Sequence, residues 1–134
     1  MERTALLVSP AAEDHEILRE LFHRHGWILE HATSFDSIAI QLNQKTASVV
    51  ITERDLSAAN WKDVLELIQD LPAHPFLIVI SRQADESLWA EALNLGVYDV
   101  LAKPLNEIEA MRVLTSAWDH RQQASAAVPA GLWG

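Results

Sequence analysis

Three side chains that could take part in chemistry each close a short apolar run of the sequence: Glu53, Ser81 and Lys103. Such runs predict buried strands of a parallel sheet. The runs cover 48–52, 76–80 and 98–102. The carboxyl ends of parallel strands share one edge of the sheet, and ligands collect at that edge. We therefore expect a carboxylate, a hydroxyl and an ammonium group to converge there.

The first apolar run, residues 5–8, ends without a charged residue. It is followed by Ser9 and Pro10, of which Ser9 has a neutral hydroxyl and Pro10 has no polar side-chain atom. Mg²⁺ prefers oxygen ligands in octahedral array, usually including one or two carboxylates. The strand-end acid nearest to Ser9 and Pro10 is Glu53, on another strand. The sequence therefore predicts that this edge of the sheet binds no metal and needs no cofactor.

Shifted acids offer an alternative. Asp55 follows Glu53 by two positions, and Glu13 and Asp14 follow Pro10. These acids could rebuild a metal site, although acids in a first helical turn more commonly complement the helix dipole. The six histidines are dispersed and lack the spacing of a zinc site, so they are predicted to be surface residues.

Apolar runs alternate with amphipathic segments five times, which predicts one α/β domain with a doubly wound parallel sheet. Predicted helices run from about 12 to 25, from Ser34, from Asn60, from Asp85 to Gly96, and from Asn106. The first helix should bury a stripe that includes Ile17, the last helix one that includes Ile108, and Trp89 of the fourth helix should also be core. We predict a domain over residues 1–121 and a flexible tail over 122–134.

Composition narrows the class of protein. The 134 residues suffice for one domain, and the net charge of −9 argues against binding to a nucleic-acid backbone. No apolar run is long enough to span a membrane, and there is no cysteine for a disulfide or thiolate site. A cytoplasmic protein that contacts other proteins is the expected class.

The segment 96–105, with Lys103-Pro104 closing a strand, and the order Glu53, Ser81, Lys103 resemble the receiver domain of bacterial response regulators in two-component signalling. The resemblance covers residues 4 to about 119. It implies a CheY-like, flavodoxin-like (βα)5 fold with strand order 2-1-3-4-5. It also implies a phosphoacceptor position at Glu53, a hydroxyl position at Ser81 and a charge-steadying lysine at Lys103.

Several positions depart from the family pattern. Relatives carry an aspartate where this chain has Glu53, and two metal-binding acids where it has Ser9 and Pro10. Val100 lies where many relatives have an aromatic switch residue, and Arg82 replaces a commonly small one. These departures touch the chemistry and leave the scaffold intact. The chain therefore resembles a degenerate receiver, or pseudo-receiver.

The leading hypothesis is a stand-alone degenerate receiver without enzymatic activity. It would act in two-component or phosphorelay signal transduction by protein–protein contact and independently of phosphorylation. Glu53 would then form a standing ion pair with Lys103, and Arg82 could join it. The alternative is a phosphorylatable receiver with an atypical acceptor, Glu53 or Asp55. An enzymatic or small-ligand domain is disfavoured, because no Gly-rich loop follows the first strand.

Expected partners are signalling proteins, such as a histidine kinase or a downstream regulator. In receivers the fourth helix, fifth strand and fifth helix commonly contact partners, and a homodimer could form through the same face. Trp89 and Val100 are the candidates for that surface. An exposed tryptophan there would be a candidate binding hot spot.

Overall fold

A computed structural model describes residues 3–10, 12–44, 47–71 and 74–131, in which strands and helices alternate along the chain. The strands are β1 Arg3–Val8, β2 Trp27–Ala32, β3 Val49–Glu53, β4 Phe76–Ser81 and β5 Asp99–Ala102. The helices are α1 Ala12–Arg24, α2 Phe35–Gln44, α3 Trp61–Gln69, α4 Glu86–Leu95 and α5 Glu107–Gly131. The predicted α/β class is confirmed.

All four strand pairings are parallel, and the sheet order is β2-β1-β3-β4-β5. This confirms the expected order. The sheet has helices on both faces because successive strand residues point to opposite sides. Ala5 and Leu7 pack in a core with α1 and α5, whereas Leu6 and Val8 pack in a second core with α2, α3 and α4.

Local signals set the helix ends. Asn60 caps α3, where its side chain accepts hydrogen bonds from the backbone N–H groups of Lys62 and Asp63, and the Asp63 carboxylate accepts from the Asn60 N–H. This is a capping box, a common helix start. Gly96 ends α4 with φ of 110°, a conformation that favours glycine. Both predicted helix limits are confirmed.

Three predicted core positions are wrong. Ile17 is 65% exposed, Ile108 is 81% exposed and Trp89 is 48% exposed. In each of these helices the buried side covers a smaller angle around the helix axis than the apolar residues of the sequence do. At about 100° per residue, Ile17 and Trp89 lie roughly 80–90° from the centre of the buried side, and Ile108 roughly 140° from it.

The last helix runs past the predicted domain boundary at residue 121 and ends at Gly131. Residues 132–134 lie outside the described residues, and the flexible tail stays a prediction. Within the part of the chain that the structure describes, no helix combines the length and apolar character needed to cross a bilayer.

Candidate functional site

The carboxyl ends of β3, β4 and β5 lie side by side. Glu53 ends β3 and pairs in register with Ile80, and Ser81 at the end of β4 pairs with Ala102. Lys103 directly follows β5. Since β4 separates β3 from β5, Glu53 and Lys103 extend from strands on either side of Ser81.

Glu53 and Lys103 form the ion pair that the sequence predicts. The ammonium Nζ of Lys103 donates a hydrogen bond to Glu53 Oε1. The Lys103 side chain is only 11% exposed and the Glu53 side chain only 16%. A charged pair so far removed from water depends on both partners, because either charge alone would be buried without compensation.

The backbone holds both partners in place. The Arg54 N–H donates to the carbonyl of Ile80 at 3.0 Å, and the Lys103 N–H donates to the carbonyl of Ser81 at 2.9 Å. These two hydrogen bonds extend the pairing of β4 with β3 and with β5 by one residue past the end of each of those strands. The ion pair therefore sits on ordered backbone rather than on a free loop.

The hydroxyl of Ser81 takes part in a local turn. Ser81 is 6% exposed, and its Oγ accepts a hydrogen bond of 3.0 Å from the N–H of Gln83. Hydroxyls commonly stabilise turns in this way. The strand end thus places Ser81 where the sequence predicts it, with one lone pair of its hydroxyl occupied.

Ser9 and Pro10 lie at the end of β1. Ser9 is fully buried, its N–H donates to the carbonyl of Ala32 at 3.2 Å, and its carbonyl accepts from His31 Nε2 at 2.9 Å. Pro10 is exposed and has no donor atom for a metal in its side chain. Together with a Glu53 carboxylate bound by an ammonium group, this set of donors does not fit Mg²⁺.

Within the described residues, Glu13 and Asp55 do not gather into a metal site. Asp55 is 71% exposed and is bound by Arg54 Nε at 3.0 Å. Glu13 instead lines a groove of about 200 Å³ beside Lys103, and the Asp14 side chain lies outside the described residues. Among the residues that the structure describes, no three His, Cys, Asp or Glu side chains are grouped to hold a metal ion.

Arg82 is exposed and lines the same groove, whose apolar walls come from α1 and from the segment after β5. The groove is lined by Glu13, Ile17, Leu18, Arg82, Lys103, Pro104 and Leu105. The ion pair with Lys103 therefore lies at the wall of an open groove that Arg82 also lines.

Of the two residues predicted for a partner surface, only Trp89 is accessible. Trp89 is 48% exposed, as a docking residue must be. Val100 is 6% exposed and packs in the core with α3 and α4, so it contributes no surface. Strand alternation turns Val100 toward the face of the sheet that α4 covers, and this cover buries it.

Two histidines that the sequence places far apart come together. The rings of His15 in α1 and His31 in β2 are stacked, with centroids 4.3 Å apart and planes 10° apart. Burial, followed by the neighbouring His31, lowers the pKa of His15. The prediction of dispersed surface histidines is wrong for this pair. Only the strand alternation, which turns His31 toward α1, could have indicated it.

A match to a family model shows the family of the chain. The family model described as "Response regulator receiver domain" matches residues 7–131. No curated protein matches the chain.

Solved structures resemble the chain over nearly their full length. The signal receiver domain of an HD domain-containing protein from Pseudomonas fluorescens Pf-5 has 25% identity and a TM-score of 0.79, covering 92% of this chain and 99% of that one. A receiver domain protein from Clostridium thermocellum has 17% identity and a TM-score of 0.83, covering 91% and 98%. A CheY-like receiver domain protein from Methanospirillum hungatei JF-1 has 14% identity and a TM-score of 0.83, covering 92% and 99%. This chain belongs to the response regulator receiver domain family.

Proposed function

We propose that this receiver domain is degenerate and passes signals by protein–protein contact without being phosphorylated. Receiver domains of two-component response regulators interact with signalling proteins such as kinases and effectors, and they are generally non-enzymatic. The observation that carries the proposal is the buried ion pair between Glu53 and Lys103. It occupies the two positions on which phosphoryl chemistry would depend.

The ion pair changes what both groups can do. A carboxylate that is to accept a phosphoryl group must approach the donor, yet Glu53 is 16% exposed and held by Lys103. Glutamate is also one methylene longer than aspartate, and misplacement by about 1 Å can cost about 10²-fold in rate. Both effects argue against transfer of a phosphoryl group to Glu53 and for a carboxylate that stays in its ion pair.

Loss of the metal follows from the donor atoms. Phosphoryl transfer relies largely on electrostatic stabilisation of the transferring group, in which Mg²⁺ has a main part. Ser9 and Pro10 supply no carboxylate, and Ser9 is buried with its backbone engaged. We therefore expect Mg²⁺ to have no binding site at this edge.

The same pair suggests how the domain can signal. The Glu53 carboxylate lies at the phosphoacceptor position and already contacts the lysine that would steady a phosphoryl group in relatives. A standing negative charge in that place would favour one conformation at all times, since an equilibrium between conformations follows differences in their interactions. The domain would then be a constant binding surface in a signalling pathway.

Exposure to small phosphodonors tests the proposal. The chain is incubated with acetyl phosphate or phosphoramidate and Mg²⁺, and its intact mass is measured against an unmodified sample. No phosphoryl group should be gained. A gain that disappears in Glu53→Gln would overturn the proposal in favour of Glu53 as acceptor, and one that disappears in Asp55→Asn would assign Asp55.

Restoration of the family pattern provides a matched test of the metal. The triple variant Ser9→Asp/Pro10→Asp/Glu53→Asp should bind Mg²⁺ in calorimetric titration, whereas the parent should not. The variant Ser9→Asp/Pro10→Asp, which keeps Glu53, separates the strand-end acids from the acceptor, and circular dichroism checks that each variant folds. Binding of Mg²⁺ by the parent at millimolar concentration would show that the proposed loss is wrong.

We extend the proposal to the setting of the domain. It would act in the cytoplasm with a histidine kinase or a downstream regulator as partner. The half-exposed Trp89 supports α4 as part of the contact surface, and a homodimer through α4, β5 and α5 would use the same side. Sedimentation over a range of concentrations distinguishes a dimer from a monomer, and Trp89→Ala should weaken whichever contact uses α4.

A further inference from the structure

The stacked imidazoles of His15 and His31 join α1 to the edge strand β2. Their centroids lie 4.3 Å apart and their planes are 10° apart, so the rings overlap face to face. Both residues are partly buried. This is contact between two titratable groups, which the signalling chemistry described above does not use.

His31 also reaches the end of β1. Its Nε2 lies 2.9 Å from the carbonyl oxygen of Ser9 and, because a carbonyl accepts only, Nε2 carries the hydrogen. The carbonyl of His31 in turn accepts from Gln41 Nε2 at 3.0 Å. The His31 ring is thus held by its hydrogen bond to Ser9 and its backbone by Gln41, so His15 is the ring that is freer to move.

The surroundings of His15 disfavour its protonated form. His31 faces His15 from β2, and on α1 itself Glu16 and Arg19 lie close to His15 and pair with each other at 3.5 Å. Burial is the largest cause that lowers the pKa of His15, and His31 and Arg19 lower it further, whereas Glu16 raises it. Two stacked imidazolium rings would repel each other at this separation.

We propose that the His15–His31 stack is a proton-sensitive latch that holds the first turns of α1 against β2. With at most one ring protonated the latch is closed, and His31 can donate to Ser9 in either form. When the second ring is protonated the rings separate, and His15 turns away with its part of α1. The latch does not depend on whether the domain is phosphorylated.

Opening of the latch would change the groove beside the ion pair. Glu13, Ile17 and Leu18 of α1 line that groove together with Lys103 and Pro104. His15 lies between Glu13 and Ile17 in the same turns of α1. Movement of these turns therefore alters the groove without breaking the pair between Glu53 and Lys103.

An NMR titration of the full chain tests the latch. The ring signals of His15 should titrate below the ordinary histidine range, and backbone amides in the first turns of α1 should shift in the same step. In His15→Gln this shift of the α1 amides should vanish. The matched control His23→Gln, which changes an exposed histidine on the same helix, should keep it.

The unsubstituted chain gives a second readout that needs no variant. Nuclear Overhauser contacts between the two rings should be present above the ordinary histidine range and should disappear as His15 is protonated. Ring contacts that persist after His15 is protonated would overturn the proposal. So would shifts of the α1 amides that are the same in the parent and in His15→Gln.

Discussion

Removal of the ammonium group of Lys103 should destabilise the domain strongly. In Lys103→Met the Glu53 carboxylate loses its ionic partner while an apolar chain of similar length fills the space. Breaking a buried pair costs about 3–5 kcal/mol, against about 0–1 kcal/mol for an exposed pair. With side chains 11% and 16% exposed, the pair belongs near the buried limit. We expect a loss of about 3 kcal/mol in the free energy of unfolding.

A double-mutant cycle isolates the pair itself. Glu53→Leu alone should also be costly, since it leaves the Lys103 ammonium buried. The double variant Glu53→Leu/Lys103→Met removes both charges and should be closer in stability to the parent than either single variant. The cycle should therefore give a coupling energy of about 2 kcal/mol or more.

Urea unfolding followed by far-UV circular dichroism measures each corner of the cycle. Equal slopes with urea concentration would show that the compactness of the states is unchanged. For a domain of this size a loss of 3 kcal/mol corresponds to a fall of roughly 10 °C in the melting temperature. A coupling energy below about 1 kcal/mol would refute the inference that the pair is effectively buried.

Three further perturbations separate features of the fold. Trp61→Ala should lower the free energy of unfolding by about 3–5 kcal/mol, because Trp61 is only 3% exposed. Trp89→Ala should lower it clearly less, because Trp89 is half-exposed. Equal losses in urea unfolding would contradict the assigned burial. Asn60→Ala removes the α3 cap and should cost about 1 kcal/mol, while an unchanged midpoint would show that the capping box contributes nothing. The lowered pKa of His15 means that the unfolded chain binds the proton more readily, so its contribution to stability is complete above its ordinary pKa of 6.5 and is lost as the pH falls through the lowered value. His15→Gln should flatten that part of the pH–stability profile, and a profile identical to that of the parent would contradict the assignment.

Much of the fold could be predicted because each strand is a short apolar run and each run is followed by a polar residue or turn. The same pattern predicts which side chains lie close together, because Glu53 and Lys103 come at the ends of strands on either side of β4. Two residues 50 positions apart could thus be assigned to one ion pair from the order of the strands.

The remainder depends on angles that a sequence does not carry. An apolar residue at the border of a helical stripe can point inward or outward, and Ile17, Ile108 and Trp89 point outward. The contact of His15 with His31 requires the rotation of α1 relative to β2, which depends on packing of the whole helix. The position of Val100 was predicted, but its burial depends on how α4 covers β5.

The pair that crosses the end of β4 also bears on how the molecule comes apart. Of the strands that the structure describes, β5 is the shortest, with four residues, and it lies at the sheet margin. Strands are about 4.8 Å apart, so a link from β5 to β3 ties this margin to the middle of the sheet over two strand spacings. Peeling β5 away would require separation of two opposite charges as well as the loss of its ladder. The amide hydrogens of β5 would then exchange together with those of the central strands rather than before them.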